Sequence, residues 1–150
     1  MINPILEAFA SILPQIGFER VEKKGISLSD SILNYNGVLI NIGVFGPLKG
    51  AILIGMDINS AKQFASKMMM GMEVTELDSL AQSAISEMGN MVCANACTYF
   101  TNAGISGLDI SPPTLLIGEN GQVRLSVPKV IVVTFVVDGI NIQVYTGLYK

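Results

Sequence analysis

The sequence predicts an α+β fold: one mostly antiparallel sheet with long helices packed on one face, in two halves that look alike. Apolar residues recur at helical spacing over Ile5–Leu13 and again over Leu77–Tyr99. Around those stretches, β-branched runs are punctuated by Asn36-Gly37, Gly46-Pro47, Asn120-Gly121 and Asp138-Gly139. A helix followed by antiparallel strands occurs twice, with another helix between. No residue-level repeat accompanies this order, so the two-fold suggestion rests on element order alone.

Length and composition bound the answer. The 150 residues suit a single domain, 1–150, with a sizeable core. Charged residues are 14% and hydrophobic residues 50%, against a usual charged share of about 25%. So apolar a chain implies a surface covered by partners or by self-association. No apolar run approaches the ~18 residues needed to span a membrane. The opening MINPILEAFASILPQIG has no basic lead and carries Glu7, so it makes a poor signal peptide and a cytoplasmic location is expected. The net charge of -3, with nine Lys and Arg, leaves no basic stripe for nucleic acid. Cys93 and Cys97 stand at i, i+4 and there is no His. That is at most half a tetrahedral zinc site, so both read as reduced, half-buried side chains.

The elements follow in order. Asn3-Pro4 reads as a cap and first turn. Ile5, Leu6, Phe9, Ile12 and Leu13 give that helix its apolar face, and Pro14 and Gly17 mark its end. Phe18–Ser29 is polar-rich and reads as an edge strand. Ser31–Tyr35 and Val38–Phe45 flank Asn36-Gly37, a two-residue hairpin signal. Gly46-Pro47 turns the chain into a strand over Lys49–Met56. Asp57 or Asn59 can cap a helix over Ser60–Met70 that stops at Gly71. Met68, Met69, Met70 and Met72 read as flexible core filler at its end. Ser111-Pro112-Pro113 is a rigid entry to a strand. Leu115–Gly118 and Val123–Val127 read as a hairpin around Asn120-Gly121. Lys129–Val137 and Ile140–Tyr149 read as another around Asp138-Gly139. Val130–Val137 is apolar almost throughout, so both faces of that strand are expected to be covered.

The longest helix is expected over Leu77–Gly104, capped by Asp78 or Ser79 and closed by Gly104. At about 100° per residue, Leu77, Leu80, Ala81, Ala84, Ile85, Met88, Met91, Val92 and Tyr99 share one apolar face. Ser79, Ser83, Ser86, Glu87, Asn90 and Ala94 share the other. Glu87 and Asn90, at i and i+3, are neighbours among small residues on that sparse polar face. Gly89 and Ala94 read as small so that something can sit close. Asn95 points into the apolar face. A buried amide left unbonded costs about 1–3 kcal/mol, so Asn95 is expected to bond a neighbouring loop such as Ser111-Pro112-Pro113.

These parts do not assemble into a self-contained enzyme. Without His, the commonest general base is missing. Ser83 and Ser86 have no activating partner, and Gly43–Gly50 lacks the lysine and hydroxyl ending of a phosphate loop. Only Arg20 and Arg124 are available as a bidentate clamp. Glu87 and Asn90 fit an ordinary solvated helix face. They also fit another chemistry: an Asn amide can fix a water without titrating, which suffices where the bond to be cleaved is already labile. An acyl phosphate on another protein is such a bond, and Glu87 would then be a docking charge.

Ser83-x-x-x-Glu87-x-x-Asn90, set in ISEMGNMVCANA and followed by GLDISPPTLLIGE, resembles the signature of the CheC–CheX–FliY chemotaxis phosphatases. The opening INPILEAF and the single motif copy are most similar to CheX-type members. The resemblance implies dephosphorylation of a CheY-type response regulator at its aspartyl phosphate. It also implies that Glu87 meets the regulator's lysine and that Asn90 reaches the phosphate and orients water. The chain would need no cofactor of its own, the Mg2+ belonging to the regulator, and would form a homodimer. The first helix reads Glu7-Ala8-Phe9-Ala10, with no Asn three residues after the Glu, so one active surface per chain is expected. Ser83, where Asp also occurs in the family, reads as helix surface rather than contact. A non-catalytic module holding a regulator on the same ridge is the alternative.

Overall fold

Asn36-Gly37 and Asn120-Gly121 do not make hairpins. In the computed structural model, which describes residues 2–150, each lies inside one long strand. The first, β1, is Val21–Phe45, and its antiparallel partner, β4, is Thr114–Val137. Their pairing runs from Val21↔Val137 to Asn41↔Thr114, interrupted by bulges. Between Tyr35↔Gly121 and Gly37↔Gly118, Asn36 faces Glu119 and Asn120. The Asn120 N–H donates to the Asn36 side-chain oxygen at 2.7 Å. Gly37 takes φ +118°, and a Cβ there would meet the Met56 carbonyl oxygen at 2.6 Å. The two dipeptides therefore bend a pair of strands together instead of reversing either one. A local turn signal has lost to long-range pairing, as β context allows.

The other strands are β2 (Lys49–Met56), β3 (Asp109–Ile110) and β5 (Ile140–Tyr149). The sheet order is β2-β5-β4-β1-β3, and β1 also pairs with β2, so the sheet curls. Gly46-Pro47 and Asp138-Gly139 do turn hairpins, β1–β2 and β4–β5. The hairpins meet antiparallel through β2 and β5. With β1 and β4 also antiparallel, the pairing has the two-fold character expected from element order. Among the described residues Val21–Asp30 pairs only with β4 and is the expected edge.

Three helices cover one face: α1 (Asn3–Gln15), α2 (Ile58–Met68) and α3 (Ser79–Asn102). Ile5, Phe9 and Leu13 of α1, Phe64 of α2 and Ile85, Met88 and Val92 of α3 close over Ile40, Ile42, Ile54, Val133 and Val144. Phe9 stacks on Phe135 at 5.1 Å between ring centroids. On the opposite face Leu33, Leu39, Leu53, Val127 and Val130 form a smaller cluster. β4 is thus covered on both sides around Val130, while Thr134 and Val136 nearer its end are only half-buried on the outer face, so the cover expected from composition is met in part.

The caps differ in part from expectation. Asp57 and Asp78 accept from Ser60 N–H (2.7 Å) and Ala81 N–H (2.9 Å). Asn3 does not cap α1: Ile2 occupies the cap position, and no side chain bonds there. The first helix runs past Pro14 to Gln15, since a proline in the last turn removes only one bond. The methionines also divide. Met68 and Met69 pack on the core, but Met70 is 97% exposed at φ +60° and Met72 is exposed. Core filler is therefore wrong for those two, because the chain has already left the helix.

Candidate functional site

The rotational setting of α3 decides what faces outward. Ala81, Ile85, Met88, Gly89, Val92, Cys93, Ala96 and Phe100 are buried. A Cβ on Gly89 would lie 3.0 Å from Ile40 Cγ2, so the glycine lets the helix settle onto β1. The buried stripe is thus rotated from the expected one. Leu80, expected inside, is 60% exposed, and Met91 and Tyr99 are half-buried. With Gly89 inward, Glu87 and Ser83 are exposed, and Asn90 and Ser86 are half-buried.

These four line a groove of about 500 Å³ whose opposite bank is Ile110, Ser111, Pro112 and Pro113. The bank is anchored on β1. Val44↔Ile110 and Phe45↔Asp109 are paired. One step further, Ser111 N–H donates to the Gly43 carbonyl (2.9 Å) and Gly43 N–H donates to Ser111 Oγ (2.8 Å). The serine hydroxyl replaces the carbonyl that a continuing strand would offer. Pro112 and Pro113 then carry the chain away without N–H donors. Asn95 has no part in this. It is half-buried and makes no side-chain hydrogen bond among the described residues, so the expected tether to the Ser111 turn is not formed. Gly43 supplies it instead, because its backbone lies where the ladder would continue.

The groove's electrostatics are simple. Among the described residues Glu87 is its one formal charge, and no Lys or Arg lines it. Arg20 pairs with Glu22, and Arg124 lines a different cleft with Lys49 and Tyr149. An anion entering the groove must therefore bring its own neutralising cations. Burial pushes the Cys93 thiol up to about 12, and burial, then Asp109, raises that of Cys97. Neither thiol is a nucleophile near neutral pH. Among the described residues no group of three or more His, Cys, Asp and Glu could hold a metal ion. Among the described residues no helix is long and apolar enough to cross a membrane. Among the described residues, neither Glu87 nor Asn90 makes a side-chain hydrogen bond or ion pair. Both are open to a visitor.

The profile of the family described as Chemotaxis phosphatase CheX matches residues 38–136. The chain belongs to that family. It is 29% identical over 125 residues to the CheY-P phosphatase CheX of Thermotoga maritima, covering 83% of this chain and 79% of that one. Among solved structures, CheX in a CheX–CheY–BeF3–Mg2+ complex from Borrelia burgdorferi is 27% identical. Its TM-score is 0.79, with 99% of this chain and 97% of that one covered. A CheC-like superfamily protein from Shewanella sp. PV-4 has a TM-score of 0.86 at 20% identity, covering 99% and 97%. The Shewanella likeness speaks for the fold alone. The CheX membership agrees with the family read from Ser83, Glu87 and Asn90.

Proposed function

We propose that this chain is a phosphatase for a phosphorylated CheY-type response regulator, with Asn90 and Glu87 as its working residues. The observation that carries the reading is an open Glu–Asn pair in a groove that, among the described residues, is lined by no cation. Such a groove is a poor phosphate site alone, but it complements a partner that brings the metal and the lysine. The relative from Borrelia burgdorferi, solved with CheY, BeF3 and Mg2+, supports that division of labour. The Thermotoga maritima relative, a CheY-P phosphatase, supports the reaction.

In this reading the Asn90 carboxamide accepts from and donates to one water, holding it in line with the aspartyl P–O bond. The water oxygen attacks phosphorus and the P–O bond to the aspartate breaks. The aspartate leaves as a carboxylate, and the protons of the water leave with inorganic phosphate. No side chain of this protein changes protonation, so the absence of His is no obstacle. Glu87 meets the regulator's lysine and sets the approach. The Mg2+ stays with the regulator. A regulator partner implies a cytoplasmic location. A homodimer fits the low charge and the exposed Ile26 and Leu28 on the β1 edge.

The test is the lifetime of the phosphoryl-aspartate on a CheY-type receiver with and without this chain. Acceleration supports the phosphatase. A stable complex with unchanged lifetime supports a binding module instead.

A further inference from the structure

The bank opposite Glu87 and Asn90 is more rigid than a loop needs to be. Two prolines fix φ at consecutive positions and offer no N–H. Pro112 is exposed and Pro113 half-buried, so neither is there to fill the core. The Gly43–Ser111 pair holds the segment at two points, 2.9 and 2.8 Å. Gly43 itself leaves room for this: a Cβ there would press on Ser111 Oγ at 3.1 Å and on the Phe45 ring at 3.3 Å. A partner that brings an acyl phosphate to Asn90 along this groove meets α3 on one side and this wall on the other, since both line it.

We infer that the Ser111-Pro112-Pro113 wall is a second recognition surface for the phosphorylated receiver, and that Ser111 is the positioning residue that fixes its distance from α3. This rests on the phosphatase reading for the identity of the partner. The wall is preformed, so docking against it orders little chain and gains affinity. It makes no contact with the attacking water in this scheme, so its contribution falls on binding of the receiver and not on the chemical step.

The probe is a CheY-type receiver domain trapped with beryllofluoride and Mg2+, titrated onto the full chain, alongside steady-state decay of the phosphorylated receiver. Ser111→Ala removes the hydroxyl and leaves the Gly43 N–H without its partner. Re-fixing the freed wall on docking costs binding at most what that internal bond contributes, roughly five- to tenfold. The expected result is a Kd and KM raised by that factor with kcat unchanged, restored by Ser111→Thr. If Ser111→Ala loses its cooperative melt, Pro113→Gly carries the test. It keeps both Gly43–Ser111 bonds while freeing the wall, and the same loss of affinity is expected. Equal Kd and KM in wild type and the folded variant would overturn the inference, as would a fall in kcat alone. The phosphatase reading is judged separately: a wild-type chain that binds the trapped receiver but does not shorten the phosphate's lifetime overturns that reading. In that case the Kd comparison still decides the role of the wall.

Discussion

Gly89 of α3 faces Ile40 of β1 across a gap too tight for an added Cβ unless the Ile40 side chain gives way: a Cβ would stand 3.0 Å from Ile40 Cγ2 and 3.4 Å from its Cδ1. The next residue is Asn90 and the one but previous is Glu87, so this contact sets where the outward pair points. Gly89→Val forces branched carbons into that gap. Overpacking of this kind costs typically about 1–3 kcal/mol. The expected outcome is a lower urea midpoint together with slower receiver dephosphorylation, since the helix must lift from the sheet.

Thr146 lies on β5 between Ile52 and Ile131, 3% exposed, and its buried hydroxyl has no hydrogen-bond partner among the described residues. An unpaired buried hydroxyl destabilises a fold by about 1–3 kcal/mol. Thr146→Val keeps the shape and removes the orphan. Chemical denaturation should show a variant more stable than wild type by about 1 kcal/mol.

Asp138 ties the β4–β5 turn to the segment after α1. Its carboxylate accepts from Arg20 N–H (2.7 Å) and Glu19 N–H (3.1 Å) and pairs with Lys67 at 3.3 Å. The Arg20 bond is the main cause holding its pKa below the ordinary carboxylate value. A depressed folded pKa gives stability that is present above the unfolded pKa, near 3.9, and lost as pH falls through the folded one. Asn tolerates the positive φ here (+50°). Melting curves of wild type and Asp138→Asn should therefore differ most at neutral pH. The gap should shrink steadily below about pH 4.

Leu80 and Ile85 share the first turns of α3 but not its environment. Leu80 is 60% exposed and Ile85 is fully buried. Leu80→Ser should leave stability within about 0.5 kcal/mol of wild type. Ile85→Ala should cost about 2–5 kcal/mol. Paired urea titrations check the contrast.

Much of this was legible in the chain before folding. The helices, the Asp78 cap, the Gly46-Pro47 and Asp138-Gly139 hairpins and the doubled order follow from local periodicity and turn chemistry. Asn36-Gly37 and Asn120-Gly121 misled because a bulge and a turn ask for the same residues. Only the long-range pairing of β1 with β4 separates the two. The setting of α3 misled for a different reason. Gly89, Cys93 and Ala96 are small and carry little hydrophobic signal, yet they are the residues that let the helix approach the sheet. Leu80 carries a strong signal and lies outside. Glu87 and Asn90 were legible as a spacing, and both line the groove. Ser111's bond to Gly43 was not, since it joins positions 68 residues apart. The one available cue was a hydroxyl immediately before two prolines.

Single-turnover decay of a phosphorylated CheY-type receiver, with wild type, Asn90→Ala and Glu87→Ala, goes to the centre of the proposed chemistry. Removing a well-placed polar group costs about 10² to 10³ in rate. Asn90→Ala should lose that much with its melting temperature unchanged, and Glu87→Ala should chiefly weaken the receiver's binding. Decay by Asn90→Ala as fast as by wild type would contradict the role given to its amide.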